Sequence, residues 1–231
     1  GNCYQYQYDV FDNVKNDVNY TSASTAKIDT STPSCSFSSM NSNSQYGYVS
    51  SSTIYYTTLG SGDFNVSVSA SSSISGINNV TFPATVSAGA SDYTSPYNQS
   101  YAWTTGSSYS SSSTVTCYSN AGLSGTTSFT VTKDITAPSG GSISYTDGYY
   151  TVASVEVTFA DGTDSSSGVN ASKSALLRRS ATFSGGSCGS YGSWSQIGTL
   201  DPSSPYTDSS VASGNCYQYQ YDVFDNVKND V

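Results

Sequence analysis

Tyr4, Tyr6, Tyr8 and Val10 alternate with Cys3, Gln5, Gln7 and Asp9, and this period of two predicts a β-strand with one buried face, the tyrosines in a core. Asp12-Asn13 then opens a turn, and Tyr20–Asp29 (YTSASTAKID) reads as a second, weaker strand. Further on, Tyr46–Thr57 supplies early strands. Phe64, Val66, Val68 and Ala70 alternate with polar partners, Ile77–Phe82 stops at Pro83, and Tyr101 and Trp103 share one face. Val115 with Cys117, and Phe129 with Val131, continue the alternation. Short strands at regular spacing with Gly, Ser and Asn turns are the signature of a sandwich. A second series begins at Ile143, turns at Asp147-Gly148 and continues as Tyr149–Phe159, Ala175–Phe183 and Tyr191–Leu200. It reaches Cys216–Phe224, which repeats the opening strand.

That repetition extends over Gly1–Val18 and Gly214–Val231, both GNCYQYQYDVFDNVKNDV, at an offset of 213 residues. Self-similarity at a fixed period marks a tandem array, so the chain is expected to be a window of a longer periodic polypeptide, or a processed segment of one. Asp29–Ser34 (DTSTPS) and Asp134–Ser139 (DITAPS) share a form that is short, Pro-bearing and free of apolar alternation. Both read as domain junctions, and the spacing between them suits one immunoglobulin-sized domain. The predicted fold is all-β, with two immunoglobulin-like β-sandwich domains in tandem. Residues 1–29 are expected to be the C-terminal hairpin of a preceding domain and 30–134 a complete domain. Residues 135–231 form a second domain that lacks its last strand, the counterpart of Tyr20–Asp29, so its sheet edge is expected to be open.

The run CYQYQYDVFDN (216–226) resembles the penultimate strand of fibronectin type III and related immunoglobulin-like domains, with Tyr217, Tyr219, Tyr221 and Val223 directed inward. VTCYSNAGLSGTTSFTVTKDITAPSGG (115–141) and SGINNVTFP (75–83) are similar to the closing hairpin, junction and inner strand of bacterial immunoglobulin-like repeats in giant surface proteins. The resemblance implies a sandwich fold and a large extracellular adhesin or stalk protein. Two positions depart from it. Lys228 stands in the turn DNVKND where relatives usually carry Gly, and no Asp precedes Ser75-Gly76, where a metal site could have been inherited.

Composition narrows the function. Ser and Thr make up about a third of the residues, charged residues are 10%, and fifteen Asp with one Glu set a net charge of −9. So acidic a chain is not expected to bind nucleic acid, whose phosphates need a basic surface. No apolar run is long enough to span a bilayer. Each period holds four cysteines, without metal-ligand spacing and with no His to assist. Three disulfide connectivities are open to four cysteines. The domain boundaries favour Cys35–Cys117 and Cys188–Cys216, which points to an oxidising, extracellular setting.

Without His, Ser/His and Cys/His nucleophile pairs are unavailable. GGSCG (185–189) matches G-x-S-x-G around Ser187, but that elbow needs a following helix, and none is readable. The chain is therefore not expected to be an enzyme, and no cofactor is indicated. Asp29, Asp134, Asp161 and Asp164 are loop oxygen donors of the kind Ca²⁺ takes, although no D-x-D-x-D-G loop is present. N-x-S/T sequons at Asn19, Asn65, Asn79, Asn98 and Asn170, with the hydroxyl tract Ser107–Ser113, suggest glycosylation. The expected function is a structural one: a glycosylated tandem-repeat protein forming an extracellular stalk, fibre or filament at a cell surface, its partners being neighbouring copies. The alternatives are an adhesin or carbohydrate-binding module that engages glycans or another cell, and a separate subunit that polymerises by strand donation.

Overall fold

A computed structural model describes residues 1–230. Among the described residues the chain is all-β, built of twenty short strands and one 3₁₀ turn. The opening strands β1 (Asn2–Tyr4), β2 (Gln7–Phe11), β3 (Asp17–Thr21) and β4 (Ala26–Ile28) form two separate two-stranded ladders, β1 with β4 and β2 with β3. There follow β5 (Ser34–Ser42), β6 (Gly47–Ser50), β7 (Thr53–Tyr56), β8 (Gly62–Ser71), β9 (Ile77–Thr81), β10 (Ser91–Asp92), β11 (Tyr97–Trp103), β12 (Ser111–Ser119) and β13 (Ser124–Lys133). These make a six-stranded sheet in the order β10-β9-β12-β13-β7-β6 and a three-stranded sheet β11-β8-β5. The rest of the chain supplies β14 (Ser142–Ser144), β15 (Val155–Ala160), β16 (Ala175–Ser184), β17 (Ser187–Cys188), β18 (Ser195–Gln196), β19 (Tyr206–Asp208) and β20 (Asn215–Asp222). Here β14-β15-β19 is one sheet, and β16 carries β17, β18 and β20 in another. No helix among the described residues is long and apolar enough to cross a membrane.

By internal contacts the chain falls into two compact units. The first comprises residues 1–41, 65–101 and 112–130. Its core follows the alternation of the strands: Val66, Val68, Val80, Phe82, Tyr101, Val115 and Phe129 are buried, and Phe129 packs against both Phe37 and Tyr101. The Cys35–Cys117 disulfide ties β5 to β12 and so joins the two sheets.

The second unit comprises residues 42–64, 102–111 and 131 onward. Trp103 lies against Tyr56 and Phe64, and its indole N–H donates to the carbonyls of Thr57 (3.1 Å) and Gly60 (3.0 Å). Gly47 and Gly62 leave room for that ring, since a Cβ on either would lie 2.6 or 2.5 Å from the indole. In the later strands Val155, Val157 and Phe159 pack with Leu176, Val211 and Tyr219. Glu156, between two buried valines, faces solvent, as a strand period of two requires. The Cys188–Cys216 disulfide joins β17 to β20.

One predicted strand is shorter than expected. Of Tyr149–Phe159 only the part from Val155 is in a ladder, because β19 pairs with Val155–Val157 and β14 with Thr158–Ala160, and neither ladder reaches further back. Tyr149 is left 85% exposed.

The repeated eighteen residues occupy two environments. In the first copy every residue is exposed, including Tyr6, Tyr8 and Phe11. In the second, β20 pairs along its whole length with β16, from Ala175↔Asp222 to Thr182↔Asn215, and Tyr219 and Val223 are buried. Tyr4, Tyr6 and Tyr8, expected in a core, are exposed here, where no layer covers them, whereas of their counterparts Tyr219 is buried and Tyr217 and Tyr221 are half-buried against the core. Alternation gives a strand two faces, but a covering layer is needed to make one of them inside.

The turn is the same in both copies. The Asp12 carboxylate accepts from the backbone N–H of Val14 and Asn16 and from the Asn16 amide (2.7 Å). Asp225 does the same with Val227, Asn229 and the Asn229 amide (2.6 Å). Lys15 and Lys228, the glycine-like positions, adopt φ of 71° and 77°. The Asp-Asn clamp outweighs the cost of about 1–2 kcal/mol that a side chain meets in the left-handed region.

Chain entropy ranks the two disulfides. Cys35–Cys117 spans 82 residues and Cys188–Cys216 spans 28, so the first should stabilise by about 1 kcal/mol more. Urea denaturation of the Cys35→Ala/Cys117→Ala variant should show a loss of about 2–5 kcal/mol, larger than that of Cys188→Ala/Cys216→Ala. The reverse order would show that loop length does not govern their contribution.

Candidate functional site

The loop after β15 and the turn after β20 meet the segment that follows β13. Val169 bridges to Asp225, the Asn226 N–H donates to the Gly168 carbonyl (3.0 Å), and the Asn226 amide donates to the Ser167 and Gly168 carbonyls. Asn229 ties in a third element. Its amide N–H donates to the Asp134 carbonyl (3.3 Å), while its amide oxygen accepts from the Thr57 hydroxyl (3.0 Å). The Asp134 N–H in turn donates to the Tyr56 carbonyl (2.8 Å).

This convergence gathers three carboxylates. One oxygen from each of Asp134, Asp164 and Asp225 lies within 4.8 Å of the others. Asp134 and Asp225 are both 2% exposed. Asp164 and Asp225 are positioned by their own local turns, and Asp134 by a local turn together with the distant Ser167. Asp164 accepts from the N–H of Ser166 and Gly168, Asp134 from Thr136 and Ser167, and Asp225 from Val227 and Asn229.

The electrostatics of the group are unequal. For Asp134, burial opposes ionisation, but hydrogen bonds from Ser167 and Thr136 outweigh it and hold the carboxyl below its ordinary range. For Asp225, burial dominates over the bonds from Asn229 and Val227, and the neighbouring Asp134 charge adds to it, so its carboxyl is pushed up. One further atom bears on the site. Ser167 is 4% exposed, and its hydroxyl lies close enough to help hold Asp134 ionised, yet it meets no partner at hydrogen-bond geometry. Carboxylates gathered this closely, two of them buried, offer hard oxygen donors to a divalent cation, and further oxygens would complete the six to eight that Ca²⁺ takes.

Of the four acidic residues singled out in the sequence, the structure brings together Asp134 and Asp164. Asp29 lies in the first unit, where its carboxylate accepts from the Ser31 N–H and is held below its ordinary value chiefly by a hydrogen bond from Ser75. Asp161 accepts from the Tyr221 hydroxyl; burial first, and that bond second, push the Tyr221 phenol up to about 12. Asp225 is the member that sequence reasoning missed. Its reading as a turn residue is correct but incomplete, because the turn also delivers its carboxylate to the cluster. The signal available was the position of Asp-Asn at the end of the strand that the period of two predicts.

The remaining residues of interest have structural settings. Gly185 (φ 60°) and Gly186 (φ 81°) form the two-residue turn between β16 and β17, so GGSCG is a hairpin around Ser187. Arg178 pairs with Asp208 at 2.7 Å and stacks over Tyr217, while Arg179 stacks on Trp194 (4.5 Å) and Tyr191 (5.2 Å). Asn79 is buried in β9 and donates to the Thr81 hydroxyl, which makes it a poor sugar acceptor in the folded chain. Asn19 and Asn98 are exposed, and Asn65 and Asn170 half-buried.

No family model matches the chain, and no curated protein matches it. Among solved structures, the fibronectin(III)-like modules of Clostridium thermocellum CbhA are similar at 13% identity, covering 83% of this chain and 88% of that one, with a TM-score of 0.37. That likeness is too low to bear on function.

Asp208 is the most heavily bonded carboxylate in the second unit, accepting from Ser210, Arg178 and Tyr219. Burial opposes its ionisation, but these bonds hold its carboxyl below the ordinary 3.8. A lowered folded value means stability that is present above pH 4 and lost as pH falls through the folded value. Asp208→Asn should cost about 3 kcal/mol at pH 7 and flatten the acid limb of stability against pH. An unchanged acid limb would show that other carboxylates govern it.

Proposed function

We propose that the chain is a non-catalytic structural element of an extracellular protein, made of tandem immunoglobulin-like domains divided near residues 29 and 134, whose second junction is stiffened by a divalent cation. The observation that carries this reading is the meeting of Asp134, Asp164 and Asp225, with one carboxylate oxygen of each within 4.8 Å of the others and Asp134 and Asp225 buried. The eighteen-residue repetition supports a periodic array forming a stalk or fibre. The two disulfides support an oxidising, extracellular setting. Surface Ser, Thr and Asn, including Asn19 and Asn98, would carry sugar.

Three acidic oxygens at one place repel each other, and Asp225 is already hard to ionise. Because its folded value is raised, its ionisation opposes folding at neutral pH, and that penalty sets in as pH climbs above the unfolded value. A bound cation reverses this effect by neutralising the group. It would also link the segment after β13 to the loop after β15 and the turn after β20, fixing the junction against bending.

Ca²⁺ at a hundredfold excess over its dissociation constant should stabilise by about 2.7 kcal/mol, or roughly 5–10 °C in melting temperature for a chain of this size. EDTA should reverse the shift. Asp164→Asn, which keeps the turn but removes the charge, should abolish the response while the apo protein melts at or above its wild-type temperature. A melting temperature indifferent to both Ca²⁺ and EDTA would sink the cation reading.

A further inference from the structure

We infer that the outer face of β16, around Arg179, binds a carboxylate-bearing polysaccharide. This goes beyond the structural reading above and does not rest on it. Arg178 pairs across the ladder with the buried Tyr219, and it turns inward to Asp208. Arg179 therefore points to the other face, beside Gln218. On the other edge of β16, β18 pairs Gln196 with Leu177 and Ser195 with Arg178, a register that brings Trp194 alongside Arg179. Two rows of side chains share this face. One is Trp194, Arg179 and Gln218; the other is Gln196, Leu177 and Gln220. Both edges of β16 are paired here, so the site is a sheet face and does not depend on what lies beyond β20.

The guanidinium is held but not neutralised. It lies 4.5 Å from the ring centre of Trp194 and 5.2 Å from that of Tyr191, close enough for each ring to attract it. Stacking uses the flat faces of the group, whereas its N–H bonds lie in its plane. Of the five N–H donors an arginine carries, only that on Nε meets an acceptor among the described residues, Gln218 Oε1 at 2.8 Å. Arg179, Trp194 and Tyr191 are all partly exposed. A carboxylate matches the free edge with two parallel hydrogen bonds. The segment that carries the rings is fixed in place. The Cys188–Cys216 disulfide ties it to β20, and the Gly189 and Gly192 N–H groups donate to the Thr182 (2.8 Å) and Ser180 (3.0 Å) carbonyls of β16. A site ordered beforehand lowers the entropic cost of binding.

The surroundings select a sugar over a peptide. Aromatic rings suit the C–H faces of pyranoses, and sugar hydroxyls both donate and accept. Gln218 has its amide N–H groups to spare, while Gln196 and Gln220 use their amide nitrogens locally and keep their oxygens free. An extended peptide docks by adding to an open strand edge, and β16 offers none at this site. The net charge of −9 does not forbid an anion here. Asp222, on the same face, lies four residues along β20 from Gln218. That is about 13 Å, beyond the ~8 Å screening length at physiological ionic strength.

The test is calorimetric titration of the full chain in EDTA, so that no cation bridges the ligand. Short oligomers of galacturonate, mannuronate and hyaluronan are the probes, and at least one should bind saturably. A neutral galactan oligomer, oligo-aspartate and acetate should not. Trp103 is 1% exposed, so a change in tryptophan fluorescence on binding reports Trp194. Arg179→Lys keeps the charge but loses the planar fork, and Arg179→Gln loses both. Each should weaken binding by about tenfold or more. Lys173→Gln removes a positive charge from an exposed site elsewhere and should leave binding unchanged. Melting temperatures near wild type show that the variants are folded, and Arg179→Lys carries the test if Arg179→Gln is not. The inference is overturned if none of the three acidic oligomers binds, or if the neutral oligomer, oligo-aspartate or acetate binds equally. An equal loss in Lys173→Gln, or none in the Arg179 variants, also overturns it. Because no Ca²⁺ is present, failure here leaves the junction reading standing, and the converse also holds.

Discussion

Everything in this chain depends on the requirement that a β-strand be covered on one face and paired on its edges. The repeated eighteen residues show that requirement with sequence held constant. Where β16 lies alongside and Phe159 and Tyr145 lie over it, the strand is continuous and its tyrosines are core. Where only β3 and β4 lie alongside, the same residues break into two short ladders and stay in water. Burying a Val or an aromatic contributes about 1.5–3 kcal/mol, and several such residues per strand separate the two outcomes.

How legible each feature was in the sequence follows from how local its cause is. The DNVKND turn is held by an Asp and an Asn within five residues, so it forms alike in both copies and even draws Lys into a left-handed conformation. Alternating residues such as Phe64, Val66 and Val68 reveal a strand because the period of two is a property of the backbone. Which face is inside is not local: Tyr6 is exposed while Tyr219, in the same run of residues, is buried. The overlong strand at Tyr149 has the same cause: its β propensity is clear, but the partner β19, whose Asp208 pairs with Val155, decides where the ladder begins.

The acidic cluster illustrates a second limit. Asp134, Asp164 and Asp225 each have a local role as acceptors in turns, and nothing in their immediate sequences points to one another, although Asp134 also accepts from the distant Ser167 N–H. Their meeting is a product of topology, which returns three loops to one place. Arg178 and Arg179 make the converse point. Together they read as a basic patch, yet one is taken up by Asp208 and the other by Trp194 and Tyr191.

The seat of Trp103 carries a consequence for how such domains diverge. Its indole fills the space left by the missing side chains of Gly47 and Gly62 and is anchored by two carbonyls. A larger residue at either glycine evicts the ring, and a smaller ring leaves a void bounded by two residues that contribute no atoms to fill it. Ser42 crowds Gly47 and Ser44 crowds Gly62 as well, so the positions drift jointly: a copy that loses the tryptophan can lose a glycine only if the serine beside it also gives way.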